Sequence, residues 1–313
     1  MKVLVTGGAG FIGSHIVDGL IGEGIEVAVI DNLSTGKEEN LNPKAAFHKY
    51  DIRDRSIGDI FRDERPDIVC HQAAQVSVRN SVEDPCTDAE INVVGSLNVF
   101  ENCRAHGVKK IVFASTGGAI YGEQEVFPAP ESHPARPLSP YGTAKLSVEN
   151  YLFYYLAVFG MRYVALRYAN VYGPRQDPHG EAGVVAIFSG KMLRGETPTV
   201  NGDGGQTRDY VYVKDVALAN VLAIKKDVAG AINIGTGIET TVNELYGLLK
   251  ARAGYTGDKA HGPAKTGEQY RSVLDNTLAK KALGWAPHTD LDRGLAETVE
   301  FFRGRRAQAE LGD

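Results

Sequence analysis

The chain has 313 residues, 43% of them hydrophobic and 23% charged, with a net charge of −5. That length allows one large domain or a domain with a smaller lobe, and the charge excludes a general affinity for nucleic acid or acidic membrane. Cys70, Cys86 and Cys103 lack metal-ligand spacing and are odd in number, "MKVLVTGG" is too short an apolar run for a secretory signal, and no stretch is long enough to span a bilayer, so a cytoplasmic protein is expected.

Taken in chain order, the first half alternates two textures. Lys2–Val5, Glu26–Ile30, Ile68–His71 and Ile111–Ser115 are short apolar, β-branched runs and predict strands, while Gly13–Ile21 and Ala89–Arg104 carry apolar residues at helical spacing. A long helix is predicted over Pro140–Phe159 with Val148, Tyr151, Leu152, Tyr155 and Phe159 as its apolar stripe, followed by a strand at Val164–Arg167. Strand–helix alternation implies an α/β fold, a Rossmann-type doubly wound parallel sheet covered on both faces. After Asn170 the texture changes. "YGPRQDPHGEAG" predicts a long loop, of the kind that is usually functional, "VNGDGGQTRDYVYV" a turn into a strand, and "AINIGTG" a strand ending in a turn. Residues 1–170 are expected to form the sheet domain, with return segments near 208–238, and 171–313 to form mainly a smaller substrate-binding lobe.

The opening segment carries the first chemistry. Gly7, Gly10 and Gly13 stand between a strand and a helix, and the stretch from Gly8 to Gly13 also satisfies G-x-G-x-x-G. Glycines there let the backbone approach a pyrophosphate, which rests on the helix N-terminus at Phe11 and Ile12. Asp31 ends the next strand, where a carboxylate receives the adenosine ribose and repels a 2′-phosphate, so NAD is expected. Asp51 and Ile52 are placed to bracket the adenine, and Gln72, Ala73, Ala74 and Gln75 offer small residues under the cofactor. His71 is read as a packed or capping histidine. No metal site is expected, because His71, His179 and the carboxylates lack ligand spacing.

Tyr141 and Lys145 lie four apart on the predicted helix and share a face. A lysine ammonium beside a tyrosine favours the phenolate, and the expectation is a lowered tyrosine pKa and a general base for a substrate hydroxyl. The preceding strand ends in the hydroxyls of Ser115 and Thr116.

With these motifs goes a resemblance. "TGGAGFIG", "DNLSTG", "HQAAQ", "STGGAIYG", "SPYGTAK", "RYANVYGPRQ", "TRDYVYVKDVA" and "LGW" resemble the extended short-chain dehydrogenase/reductases, and among them the UDP-glucose 4-epimerase family, over nearly the whole chain. The resemblance implies that Tyr141 is the catalytic base and that Lys145 tunes it and holds the nicotinamide ribose. A third hydroxyl shares the proton path. Thr116 matches it by distance from Tyr141, whereas counting back from Tyr121-Gly122 reaches Gly117, which has none; Ser115 is the second candidate.

The resemblance further places Asn32, Ser34 and Gly36 at the adenosine ribose and phosphates, and Asn92 and Tyr168 near the cofactor. It implies a UDP-sugar held by Asn170 at the diphosphate, by Gly183, Val184 and Val185 near the uridine, by Asn201, and by Arg208 at a phosphate. The family's second clamp is replaced here by Lys265-Thr266-Gly267-Glu268, leaving Glu268 for the ribose and Arg271 to supply the guanidinium. The implied reaction is transient oxidation at the sugar C4, with the hydride returned to the opposite face. Related dehydratases and decarboxylases carry acids after the threonine, where this chain has Gly117-Gly118-Ala119. Ser272 aligns with the position that limits room at the sugar 2-substituent, which leaves space for an N-acetyl group. The rival readings are a UDP-glucuronate 4-epimerase, a nucleotide-sugar reductase, or a non-enzymatic NAD-bound sensor that would be expected to lose Tyr141 and Lys145. A homodimer is expected, with the helices around Ala89–Arg104 and Tyr141–Phe159 pairing through Leu152, Tyr155 and Phe159.

Overall fold

The computed structural model describes residues 1–178, 183–264 and 269–312. The first six strands are β1 (Lys2–Thr6), β2 (Glu26–Ile30), β3 (Ala46–His48), β4 (Ile68–His71), β5 (Lys110–Thr116) and β6 (Arg162–Tyr168). With the strand Gly230–Ile234 they form one seven-stranded parallel sheet, ordered β3, β2, β1, β4, β5, β6, Gly230–Ile234. The order reverses between β1 and β4, and in a doubly wound sheet a ligand crevice opens there, beyond the carboxyl ends of the strands. Thr6, His71 and Thr116 all end strands on that edge.

The helices are α1 (Phe11–Gly22), α2 (Ile57–Glu64), α3 (Val78–Glu83), α4 (Pro85–Ala89), α5 (Gly95–Ala105), α6 (Gly117–Ile120), α7 (Pro140–Phe159), α8 (Val184–Leu193), α9 (Val213–Lys225), α10 (Val242–Ala253), α11 (Thr277–Leu283) and α12 (Leu291–Gly312). The period of two along each strand sorts its side chains onto two faces. Val3, Val5, Val27 and Val29 pack with Ile16, Leu20, Val216 and Ile224 of α1 and α9. Leu4, Ala28, Ile30 and Phe113 pack on the other face with Phe61 of α2, Phe100 of α5 and Leu152 of α7. With both faces covered, continuous apolar strands are what the sheet requires. A third cluster brings Val185 and Phe188 of α8 together with Leu245 and Leu249 of α10 and Leu295 and Val299 of α12.

Helix α7 shows how locally the chain encodes its boundaries. Ser139 accepts a hydrogen bond from the Gly142 amide at 3.1 Å, Pro140 sits where no amide is needed, and Gly160 closes the helix at φ 68°. The expected stripe needs correction. Val148, Leu152 and Tyr155 are buried, but Tyr151 and Phe159 are exposed together with Phe153, Tyr154 and Val158. Leu152 and Tyr155 therefore belong to the sheet's core and are not available to a partner subunit.

The segment Ala89–Arg104 is not one regular helix. A π-helical turn at Glu90–Val94 separates α4 from α5. The extra residue in that turn coincides with a buried polar patch: Asn92 hydrogen-bonds to Asp88, and Ser96 donates to the Asn92 carbonyl at 2.6 Å. Such bulges inside helices are frequent at functional sites.

Candidate active site

The glycine loop is shaped by close contacts. Gly7 has φ +70°, and a Cβ on it would lie 2.7 Å from the Ala73 amide nitrogen. A Cβ on Gly13 would lie 2.1 Å from the Gly7 carbonyl, so the helix could not start where it does with any other residue. At Gly10 the nearest atom to such a Cβ is the Gly7 carbonyl at 3.2 Å, and no side chain caps α1. The first amides of α1, including those of Phe11 and Ile12, thus face the crevice with their dipole, the arrangement that binds pyrophosphate.

Asp31 ends β2 and takes the Ala9 amide at 3.0 Å and the Leu33 amide at 2.8 Å. Gly36 is packed against it, since a Cβ there would come within 2.8 Å of its carboxylate. Asn32 donates to Asp51 at 2.9 Å and its side-chain oxygen accepts from the Ser34 amide, so the residues expected at the ribose and the adenine form one cluster. Asp51 also grips Arg53, which holds its carboxyl well below the usual carboxylate range. Ile52 is buried nearby.

At the end of β4, the Ala73 amide donates to Thr6 Oγ1, while Gln72 joins Tyr168 and the buried Asn220. Ala74 is half-buried between them and Gln75. His71 is fully engaged: its ring nitrogens lie 2.6 Å from Thr6 Oγ1 and 2.9 Å from Ser96 Oγ, and burial pulls its pKa down to about 3. It is a neutral cross-link of the core. Among the described residues no group of three or more His, Cys, Asp or Glu side chains is placed to hold a metal ion, and no helix is long and apolar enough to cross a membrane.

Tyr141 and Lys145 share a face of α7 as expected. The Lys145 ammonium is buried, donates to the Ala114 carbonyl at 2.9 Å and stands 4.8 Å from the Phe113 ring and 5.8 Å from the Tyr141 ring. Burial pulls its pKa down to about 8, against the Asp88 charge. The expectation that Lys145 by itself lowers the Tyr141 pKa is not met. Burial raises Tyr141 above its ordinary value, and Asp88 pushes the same way. A phenolate here therefore calls for a further positive charge, which an oxidised nicotinamide brings.

The start of α7 packs on α6. A Cβ on Gly142 would lie 2.7 Å from the Ala119 carbonyl, so the start of α7 sits directly on this turn. Gly117 and Gly118 do not adopt left-handed backbone; they form an ordinary helical turn. Their need differs. A Cβ on Gly117 would lie 2.3 Å from Leu274, whereas one on Gly118 meets only Asn170 Oδ1 at 3.6 Å and Thr116 Oγ1 at 3.9 Å. Gly117→Ala is expected to destabilise the fold by about 1–3 kcal/mol through overpacking. Gly118→Ala should leave stability unchanged or raise it and should raise KM for the substrate; thermal melts and steady-state kinetics check both.

The two hydroxyls at the strand end are separated by their partners. Ser115 is buried and donates to Glu149 at 2.5 Å. Glu149 in turn holds Arg167 through contacts of 2.6 and 3.0 Å, and Arg167 donates to Tyr121 at 2.9 Å. Thr116 is half-buried beside Gly118 and Asn170. Ser115→Ala is expected to cost about 1 kcal/mol of stability with little change in kcat, and Thr116→Ala to lower kcat with the fold intact. The reverse pattern in melts and kinetics would make Ser115 the hydroxyl of the site.

Asn170 is the site's open polar group. Its Oδ1 is buried without a hydrogen-bond partner. Its amide is fixed by the Asp209 carbonyl at 2.9 Å, and the Asp209 carboxylate ties down Thr236, Gly237 and Leu274. Gly183, Val184 and Val185 begin α8, which has no side-chain cap. Asn201 ends the short strand Thr199–Asn201 and lies farther out, bonding Gln206 through its carbonyl. Arg208 is half-buried and reaches the carbonyls of Thr207 and Tyr270. Arg271 is paired with Glu239 at 2.7 Å through Nη2 and stacked 3.8 Å over Phe127, so part of its guanidinium is already engaged. Glu268 lies outside the described residues.

The model of the NAD dependent epimerase/dehydratase family matches residues 3–235. The chain belongs to that family. Its fold is close to that of the Thermotoga maritima UDP-glucose 4-epimerase, solved with UDP-glucose: TM-score 0.96, 54% identity, 98% of this chain and 100% of that one. The Thermus thermophilus UDP-glucose 4-epimerase, solved with NAD, gives a TM-score of 0.93 at 50% identity, with 97% and 99% covered. The UDP-glucose 4-epimerase of Mycolicibacterium smegmatis is 45% identical over 97% of this chain and 99% of its own. NAD is the cofactor. The uncapped start of α1, the close contact of Gly7 with Ala73, and Asp31 at the end of β2 fit it.

Four residues of the site have no counterpart in the sequence reading: Asp88, Glu149, Arg167 and Asn220. Glu149 was within reach, since it stands one helical turn beyond Lys145 on the same face. Asp88 precedes Asn92 by four residues, but Asn92 lies in the π-helical turn Glu90–Val94, which no sequence signal announces. Arg167 and Asn220 are brought in only by the sheet.

Proposed function

We propose that the chain is an NAD-dependent UDP-glucose 4-epimerase that interconverts UDP-glucose and UDP-galactose through a transient 4-keto sugar. The observation that carries this reading is the edge opposite Tyr141. It offers the Thr116 hydroxyl, the open side of Gly118 and the unpartnered Asn170 oxygen, with no carboxylate in the turn to drive elimination. The sheet part (1–170 with the return near 208–238) binds the cofactor and the remainder binds the nucleotide.

The chemistry NAD supplies when bound is reversible acceptance of a hydride. The chain's own residues do the rest. Tyr141 takes the proton of the sugar 4-hydroxyl as general base and gives it back as general acid, with Thr116 in the proton path. Lys145, held by the Ala114 carbonyl, keeps positive charge beneath the phenolate and binds the nicotinamide ribose. Asn170, Arg208 and the start of α8 anchor the nucleotide, so the hexose turns over without leaving. Ser272 is small and buried, which supports acceptance of UDP-N-acetylhexosamines. Turnover of UDP-galactose with none of UDP-N-acetylglucosamine would refute that extension.

An epimerase restores its cofactor in every cycle. The protein is expected to purify with NAD bound and to release no steady NADH during turnover of UDP-galactose, read by absorbance and by nucleotide analysis of the denatured protein. Stoichiometric consumption of added NAD would identify a dehydrogenase instead. The exposed aromatic face of α7, Tyr151, Phe153, Tyr154 and Phe159, supports a homodimer, checked by light scattering. Three unpaired cysteines support a cytoplasmic location.

A further inference from the structure

We propose that Asp88 is a positioning residue of the active site, whose buried carboxylate is the counter-charge that sets the ionisation of Tyr141 and Lys145. Asp88 is 2% exposed, at the end of α4. One oxygen accepts from Gln75 at 2.8 Å and from Asn92 at 2.9 Å, while the other is buried without a partner. Gln75 and Asn92 bond each other as well, through the Gln75 amide and carbonyl. The carboxylate is thus fixed in place, and with Thr143 and Ala144 of α7 it lines the groove between α4 and the start of that helix.

Among the described residues none forms an ion pair with Asp88; Arg79 of α3, which packs on both α4 and α7, is exposed and pairs with Glu83. From β4 comes His71, neutral and bonded to Thr6 and Ser96. From β6 comes the buried Tyr168, bonded to Asn220, and farther along α7 Glu149 is matched by Arg167. Gln75 and Asn92 carry no charge. A half-satisfied buried carboxylate is costly unless something charged rewards it, and Lys145 is the cation on hand. Both effects have the same sign: the Asp88 charge raises Lys145 and Tyr141 alike. Asp88 therefore keeps Lys145 protonated and holds Tyr141 back until the cofactor is in place.

This rests on the reading of Tyr141 as the base. In Asp88→Asn the side-chain oxygen still accepts from Gln75 and Asn92, and the charge is gone. Both limbs of the kcat/KM profile for UDP-galactose are expected to move to lower pH, by about one unit, so relative activity rises about tenfold on the far acid side. Unmoved limbs would overturn the proposal, including where activity falls evenly at all pH, and so would loss of NAD from the variant, which a purely structural clamp predicts. If Asp88→Asn does not fold, Asp88→Ser serves. A second readout needs no turnover: ultraviolet titration of the Tyr141 phenolate in the NAD-bound protein, isolated by difference from Tyr141→Phe. A lowered midpoint without Asp88 supports the proposal even if the wild type fails to turn over UDP-galactose, in which case only the epimerase reading falls; an unchanged midpoint overturns it.

Discussion

Tyr141→Phe is expected to lower turnover of UDP-galactose by about 10²–10⁴-fold while NAD stays bound and the melting curve is unchanged. The phenol has one task in this account, to carry the proton of the 4-hydroxyl, and the phenyl ring preserves its contacts on α7. The ring is kept, 5.8 Å from the Lys145 ammonium, and that ammonium bonds the Ala114 carbonyl rather than the phenol, so the Lys145–Ala114 hydrogen bond stays in place. Steady-state kinetics with nucleotide analysis of the purified variant checks both halves. Near-normal kcat would remove Tyr141 from the mechanism, and loss of NAD would show that the phenol binds cofactor rather than moving a proton.

The second large effect lies beneath the site. Arg167→Met is expected to destabilise the protein by about 3–5 kcal/mol. Arg167 and Glu149 are each about nine-tenths buried and 2.6 Å apart. Removing the guanidinium leaves a carboxylate with only the Ser115 hydroxyl for company, an uncompensated buried charge. It also frees Tyr121, which Arg167 and Asn233 hold at 2.9 and 2.7 Å. The double variant Glu149→Leu/Arg167→Met should recover part of the loss, because no lone charge remains. Urea midpoints of the two variants and the wild type test this, and equal midpoints for wild type and Arg167→Met would contradict it. The network reaches Ser115 on β5 and Glu149 on α7, so it fixes the register between Thr116 and Tyr141. Partial unfolding there should appear first as lost kcat.

Local rules made much of this legible in the sequence. Ser139-Pro140 and Gly160 bound α7, and the apolar runs of β1, β2 and β4 announce a sheet buried on both faces. The glycine loop was legible because Gly10 and Gly13 answer the Gly7 carbonyl close by in the chain, although Gly7 itself answers the distant Ala73. What escaped depends on tertiary neighbours. The reason for Gly117 is Leu274, far away in the chain, and no spacing rule connects them. Leu152 and Tyr155 looked like a partner surface because a helical stripe does not say which of two apolar faces meets the sheet. The ionisation of Tyr141 turns first on its burial and then on Asp88, and both come only with the fold.

The central claim is that the chain inverts C4 of a UDP-hexose without net redox change. Incubating the protein with UDP-galactose and following the sugar anomeric signals by NMR tests it most directly. The account predicts growth of UDP-glucose signals to a constant ratio, with no added NAD consumed. A spectrum that stays that of UDP-galactose, with folded, NAD-bound protein in the tube, would contradict it.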